Sequence, residues 1–436
     1  MRLTLSIMAV AMATAATAAT VAASPQQKAV PCAVDNAGLT LPAGFCATVF
    51  ADSLQGPRHM VVAPNGELLV GGSPRGGGRS NMPLVSGSLY RLRDANGDGK
   101  ADAVEKLAQA SGSGIALANG YLYHTIGRAI VRYKYMPGQA ALGQADTIVS
   151  DFVPGGHAAY NFVVVGAALY MNVGSRTNAC ENSEQRAPQT PGVDPCVELE
   201  TRAGIWAFDA HKIGQKPGDG TRFATGIRNA VALTVDPRDQ SLWATMHGRD
   251  GLQPPPAGLW PGHDNAYGAE NPGEQVNHIL KGDDFGWPYC YWSHEEKKLV
   301  TAPEYGGDGK KTDRCGGKKL PAYAFPGHWG PNDMMFYTGS TFPAEYRNGA
   351  FVAFHGSWNR APLPNMGYRV AFLPLNGQKA STHRDFATEF AAPNGLPGKD
   401  GRIHRPTGLA QGTDGSIYVA DDLAGTIYKI SYKGNR

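Results

Sequence analysis

Between residues 155 and 178, apolar and polar or small side chains alternate in two short runs, Phe162–Val165 and 169–173, joined by a Gly-Ala turn. Period-two alternation between turn residues predicts a pair of half-buried strands. A turn carrying His157 leads into the pair, and a polar loop through Gly174, Ser175 and Arg176 leads out of it. The same layout of turn, apolar strand, turn and apolar strand recurs at residues 56–72, 112–127, 226–248, 330–356 and 404–422. Further strand patterns follow most of these units, at residues 88–93, 129–135, 204–209, 368–373 and 426–430. Six such units, punctuated by Asn-Gly, Asp-Gly and Asp-Pro turns, predict an all-β fold, a six-bladed β-propeller. A sandwich has no need of six similar units, and solenoid repeats are shorter and more regular. The long excursions at residues 180–202 and 252–275 are expected on one face, where function concentrates.

Composition narrows the setting. The chain has 56 glycines and 31 prolines and only 18% charged residues, which suits a turn-rich β protein. A net charge of +3 with no basic block argues against a nucleic-acid partner. Residues 1–23 open on Met1 and Arg2 and continue Ala-, Leu- and Val-rich to small residues, which predicts a secretory signal peptide and a periplasmic or secreted product. Residues 24–436 are then expected to form a single propeller domain with no integral membrane span. The six cysteines lack CxxC zinc spacing and the CxxCH of haem attachment. In an exported chain their local grouping predicts the disulfides Cys32–Cys46, Cys180–Cys196 and Cys290–Cys315.

In a propeller the first strand of every blade lines the central channel, so the residues that open those strands converge at one mouth. The equivalent positions carry Arg58 and His59, Ser113, His157, Arg228 and Asn229, Asn332 and Asp333, and His404 and Arg405. Guanidinium forks match carboxylates and imidazole exchanges protons near neutrality, so this set suits a planar, polyanionic ligand.

Over most of its length the chain resembles the pyrroloquinoline quinone (PQQ)-dependent soluble glucose and L-sorbosone dehydrogenases, a family of six-bladed propellers. The residues that carry the resemblance are His157 ahead of NFVVVGAALYMNVGSR, GIRN at 226–229, His247–Gly248 followed by GEQVN at 273–277, FGWP at 285–288, FYTG at 336–339 and HGSWNR at 355–360. The last block and the closing HRPTGLA look closer to the sorbosone type. The resemblance implies a calcium-dependent oxidation of an aldose or related sugar, with electrons passed to an external acceptor, a separate cytochrome or quinone. It implies that Arg228, Arg360 and Arg405 hold the cofactor carboxylates, with Arg402 and Arg58 as further candidates, and that Asn229 bonds the quinone. His157 matches the family's base, and Gly248–Arg249 matches the loop whose carbonyls hold calcium, with Glu274 as an alternative ligand. The glucose enzymes carry Gly-Pro at that loop, so Arg249 is a departure.

A second metal pattern lies apart. Asp94, Asn96, Asp98, Asp102 and Glu105 follow the D-x-N-x-D-G calcium-loop spacing, which predicts a calcium-stabilised turn between strands. Trp287 and Tyr289 either line a sugar site or pack beneath a loop, and His124 and His278 are expected in the core or at its rim. Two other classes compete with the dehydrogenase: a calcium-dependent sugar lactonase, which needs several carboxylates at the channel centre where only Asp333 is on offer, and a non-catalytic binding propeller.

Overall fold

The computed structural model describes residues 32–73, 87–109, 112–182, 190–252, 264–398, 401 and 403–434. The signal-peptide expectation for residues 1–23 and the cofactor expectation for Arg402 lie outside the described residues.

Six four-stranded antiparallel sheets succeed one another along the chain as the blades of a propeller. Their innermost strands are Pro57–Val62, Ile115–Ala118, Phe162–Val165, Leu233–Val235, Pro331–Phe336 and Pro406–Gln411, one from each predicted repeat. Blades one to five are each laid down by one continuous stretch of chain, working from the channel outwards. Blade six takes its outer strand, Phe45–Ala51, from the other end of the chain, paired antiparallel with Thr426–Tyr432. That pairing closes the ring with backbone hydrogen bonds and hides an edge that would otherwise be open.

Alternation along each strand sends one set of side chains to each neighbouring blade. Between blades five and six, Phe342, Phe351, Phe372 and Phe386 are all buried to within about 1% exposure, and Phe45 of the closing strand joins them edge-on. Each such side chain contributes about 1.5–3 kcal/mol of burial, so the closing strand is held by packing as well as by its ladder.

The three predicted disulfides are all formed. Blade four carries an extra hairpin, Cys290–Ser293 with Lys298–Thr301, inserted between its third and fourth strands. This hairpin packs on the loop stapled by Cys180–Cys196: Trp287 Nε1 donates to Asn178 O at 2.9 Å, Cys196 N donates to Tyr289 Oη at 2.8 Å, and Tyr305 Oη donates to Ala179 O at 3.1 Å. Trp287 and Tyr289 therefore pack beneath loops. His124 is fully buried beside the Gly114 carbonyl, and His278 is buried with its ring tilted against Trp243, as core residues. Among the described residues no helix is long and apolar enough to cross a membrane.

Candidate active site

In an antiparallel hairpin the start of one strand lies beside the end of the next. Each blade therefore delivers two positions to the same mouth, the entrance of its first strand and the exit of its second. The entrances bring Arg58, Ser113, His157, Arg228, Asn229, Asn332 and Arg405; the exits add Ser175, His247, His355 and Asp422. Five of them, Arg58, Ser113, His247, Asn332 and His355, line a cavity of about 350 Å³.

His157 sits where two turns press together. Its amide donates to Ser175 O at 2.9 Å, and a Cβ on Gly174 would lie 2.3 Å from the His157 carbonyl, so only glycine admits the approach. His157 Nδ1 lies 3.1 Å from Ser175 O and 3.0 Å from Ser175 Oγ, and that hydroxyl spends its own proton on Thr177 O at 2.7 Å. Both partners can only accept, so Nδ1 carries the hydrogen and Nε2 keeps its lone pair. Burial first, and the Arg228 charge second, push the imidazole down to about 3, which keeps it neutral.

Arg228 is buried at 4% exposure, and every nitrogen of its guanidinium is engaged. Nε and Nη2 reach Asn178 O and Oδ1, Nη1 donates to Gly248 O at 2.7 Å, and Nη2 lies 3.2 Å from Asp250 Oδ2. Burial pushes its pKa down. Asn229 beside it is buried, and its Oδ1 has no partner. Across the mouth, Arg58 and Arg405 converge on one carboxylate, Asp422, at 3.4 and 3.1 Å, and His355 Nε2 meets the same group at 3.1 Å. The Nε atoms of both arginines are buried without a partner. His247 bridges the two halves: its Nε2 donates to Pro331 O at 2.8 Å, and burial first, with the Arg228 charge beside it, pushes the imidazole down to about 4.

The mouth thus gathers the guanidinium groups of Arg58, Arg228 and Arg405 against the carboxylates of Asp250 and Asp422, with neutral imidazoles between them. Unpartnered Nε donors on two arginines are what the carboxylates of a planar, polyanionic group would satisfy, and the unpartnered Asn229 oxygen would accept from an N–H on its edge. On that test PQQ fits.

Other expected residues are placed elsewhere. Arg360 is 2% exposed and donates to the carbonyls of Pro364, Ala269 and Gly327 and to the Glu270 carboxylate, which ties its own loop to two other segments and takes this side chain out of the mouth. Arg249 is buried in an ion pair with Glu304. The Gly248 carbonyl accepts Arg228, while Glu274 accepts the amides of Gly248 and Gly330, and burial pushes its carboxyl up to about 7. A cation on the Gly248 carbonyl would face a guanidinium already bound there, so that carbonyl does not fit calcium as arranged. In the predicted calcium turn, Asp94, Asn96, Asp98 and Asp102 wrap their own backbone amides. Glu105 belongs to the strand Ala103–Gln109 and turns to Arg91 and Arg93 instead. Among the described residues no three His, Cys, Asp or Glu side chains are grouped to hold a metal ion.

The TrAA12-like family profile matches residues 39–433. The pyrroloquinoline quinone-dependent pyranose dehydrogenase of Coprinopsis cinerea is 27% identical over 283 residues, 55% of this chain and 36% of that protein. An aldose sugar dehydrogenase of Escherichia coli (strain K12) is 22% identical over 247 residues, 56% of this chain and 48% of that one. The chain thus spans about half or less of the length of the curated relatives it matches. The solved holo form of the pyranose dehydrogenase PQQ domain from Coprinopsis cinerea shares the fold with a TM-score of 0.70 at 22% identity, covering 90% of this chain and 97% of that one. The calcium structure of the Trichoderma reesei enzyme of carbohydrate-active family AA12 gives a TM-score of 0.69 at 19% identity, covering 91% and 97%.

Proposed function

The chain belongs to the TrAA12-like family, and from that membership and the geometry of the mouth we propose that it is an exported, PQQ-dependent sugar dehydrogenase that oxidises an aldose, sorbosone or a related sugar and passes the electrons to a separate acceptor. The observation that carries the reading is the pairing of a neutral imidazole, His157 with a bare Nε2, and a buried arginine set whose Nε donors on Arg58 and Arg405 lack partners. Export is supported by the three disulfides.

When bound, PQQ would supply the two-electron oxidising power that no protein side chain has. The protein's part is binding, orientation and proton handling. Arg58 and Arg405 on one side and Arg228 on the other would hold the PQQ carboxylates, and Asn229 would bond a polar edge. Asn178 and Asp250 fix the direction of Arg228. His157 Nε2 takes the proton of the sugar hydroxyl as the adjacent carbon is oxidised. An anion placed on Arg228 offsets the charge that depresses His157, so loading the site strengthens its own base. Calcium enters this reading through the resemblance alone, and no step is drawn through it.

The test is reconstitution. Chelator-treated protein is titrated with PQQ, with calcium and with both, following PQQ absorbance and then dye reduction with aldoses, pyranoses and sorbosone. Saturable PQQ binding and sugar-dependent dye reduction are expected. Protein that takes up no PQQ in either metal condition overturns the reading.

A further inference from the structure

On the far side of the propeller a second cavity, of about 470 Å³, runs between the six innermost strands. Its wall takes residues from every blade, for instance Val61, Leu117, Val164, Val235, Met335 and Gln411. All six are half-buried although they lie on the innermost strands, so the lumen is open to water. It reaches the surface at Pro237 and Thr338, which are exposed.

The two cavities are separated by the thickness of one residue. Arg58, Ser113 and Asn332 line the charged cavity, and the next residues along each strand, His59, Gly114 and Asp333, line the far one. The partition is polar. His59 Nε2 donates to Asn332 O at 2.9 Å, a bond from blade one to blade five that runs across the inner edge of blade six. Since that nitrogen donates, Nδ1 is the basic one, and it is buried without a partner. The same Nε2 lies 3.8 Å from Asp333 Oδ1. The Asp333 carboxylate accepts the amides of Met334 and Leu409 at 2.8 Å each, and burial holds it above the usual carboxylate range despite the neighbouring His59 and Arg58. Neither residue has a part in the oxidation described above.

We propose that the central channel is the proton exit of the site, with His59 and Asp333 as the relay across its waist. The inference rests on the dehydrogenase reading. Converting a carbinol to a carbonyl removes two electrons and two protons. An acceptor that takes electrons alone leaves both protons behind at the site. An imidazole that gains a proton on Nδ1 can release one from Nε2, and the water-open lumen beyond leads to bulk solvent.

Two measurements test this. The first needs no cofactor. All six native cysteines are paired, so Thr234→Cys adds a single thiol to the lumen wall. It should react with a small, charged methanethiosulfonate in the folded protein; a thiol that reacts only after denaturation overturns the exit. The second compares hexacyanoferrate(III), which takes electrons alone, with a quinone acceptor, which leaves with electrons and protons. His59→Gln keeps a donor for the Asn332 carbonyl but has no titratable group to pass a proton on, and Asp333→Asn is its counterpart. In both variants the turnover ratio, hexacyanoferrate over quinone, should fall roughly tenfold or more, and His59→Ala should regain it in imidazole buffer. An unchanged ratio, or equal losses with both acceptors, overturns the relay. Wild-type protein that binds PQQ but turns over with neither acceptor instead removes the dehydrogenase reading, whatever the thiol does.

Discussion

His157 Nδ1 lies 3.0 Å from Ser175 Oγ, and because that hydroxyl donates to Thr177 O, the serine orients the imidazole as an acceptor. The consequence is a fixed tautomer with Nε2 free for the substrate. Replacing His157 by Ala or Gln should lower kcat by roughly 10²–10⁴-fold while leaving the PQQ titration unchanged. Ser175→Ala should cost far less, because the Ser175 carbonyl at 3.1 Å still accepts the same hydrogen. Steady-state kinetics on reconstituted protein decide this, and equal losses in the two variants would show that the carbonyl does not suffice.

The pH dependence follows from the same environment. The base works only when unprotonated, and its pKa is pushed down from 6.5 to about 3 by burial and by Arg228. Protonation that silences it therefore occurs at lower pH than for an ordinary imidazole. A carboxylate on Arg228 offsets only the second cause, and burial, the first, still depresses the group. The acid limb of kcat/KM should have its midpoint below pH 6.5, with activity kept at pH 6. An acid limb centred above 7 would contradict the assignment.

How much of this was legible in the sequence depends on which physical signal wrote it. The blades were legible because a strand's two faces differ: Phe162–Val165 and the five matching runs appear as inner strands where alternation placed them. The mouth was half legible. The entrance positions, Arg58, His157, Arg228 and Arg405, follow from the repeat, whereas Ser175, His247, His355 and Asp422 sit at second-strand exits. The signal for these was present, since a polar residue follows the second apolar run in every one of those blades, but it emerges only once hairpin pairing is used to set exits beside entrances. The partner choices of Arg249, Arg360 and Glu105 were not legible. Glu304, Glu270 and Arg91 reach them across loops or strands, and spacing along the chain carries no record of that.

Arg249 and Glu304 make the most buried ion pair near the site, with side chains 3% and 0% exposed. A pair so placed gains little over an apolar one, yet losing one partner strands the other charge. Glu304→Ala should destabilise the protein by roughly 3–5 kcal/mol, lowering the thermal midpoint. Restoring neutrality with Arg249→Met in the Glu304→Leu background should recover most of it. Because Arg249 also donates to Asp250 O, the single variant should in addition weaken PQQ binding through Asp250 and Arg228. Calorimetry and PQQ titration of the three proteins check both effects, and a single variant as stable as wild type would contradict the first.

Arg360 and Arg405 separate the two jobs an arginine can do here. Arg360 spends its donors on the Pro364, Ala269 and Gly327 carbonyls and on Glu270, so removing it orphans buried acceptors, each worth about 1–3 kcal/mol, in a loop that supplies no unpartnered group to the mouth. Arg405 has one ion pair, to an Asp422 that Arg58 and His355 also hold, and an Nε with no partner, so its loss leaves the protein's own bonds largely intact. Arg360→Ala should therefore lower the thermal midpoint and leave the PQQ affinity of the folded fraction near wild type. Arg405→Ala should do the reverse, with PQQ affinity down roughly tenfold or more for a lost charge-assisted pair and little change in midpoint. The two measurements on the two variants form a cross. If Arg360→Ala loses affinity at full stability, the resemblance has assigned its cofactor role correctly, and the loop must rearrange on binding to release the guanidinium.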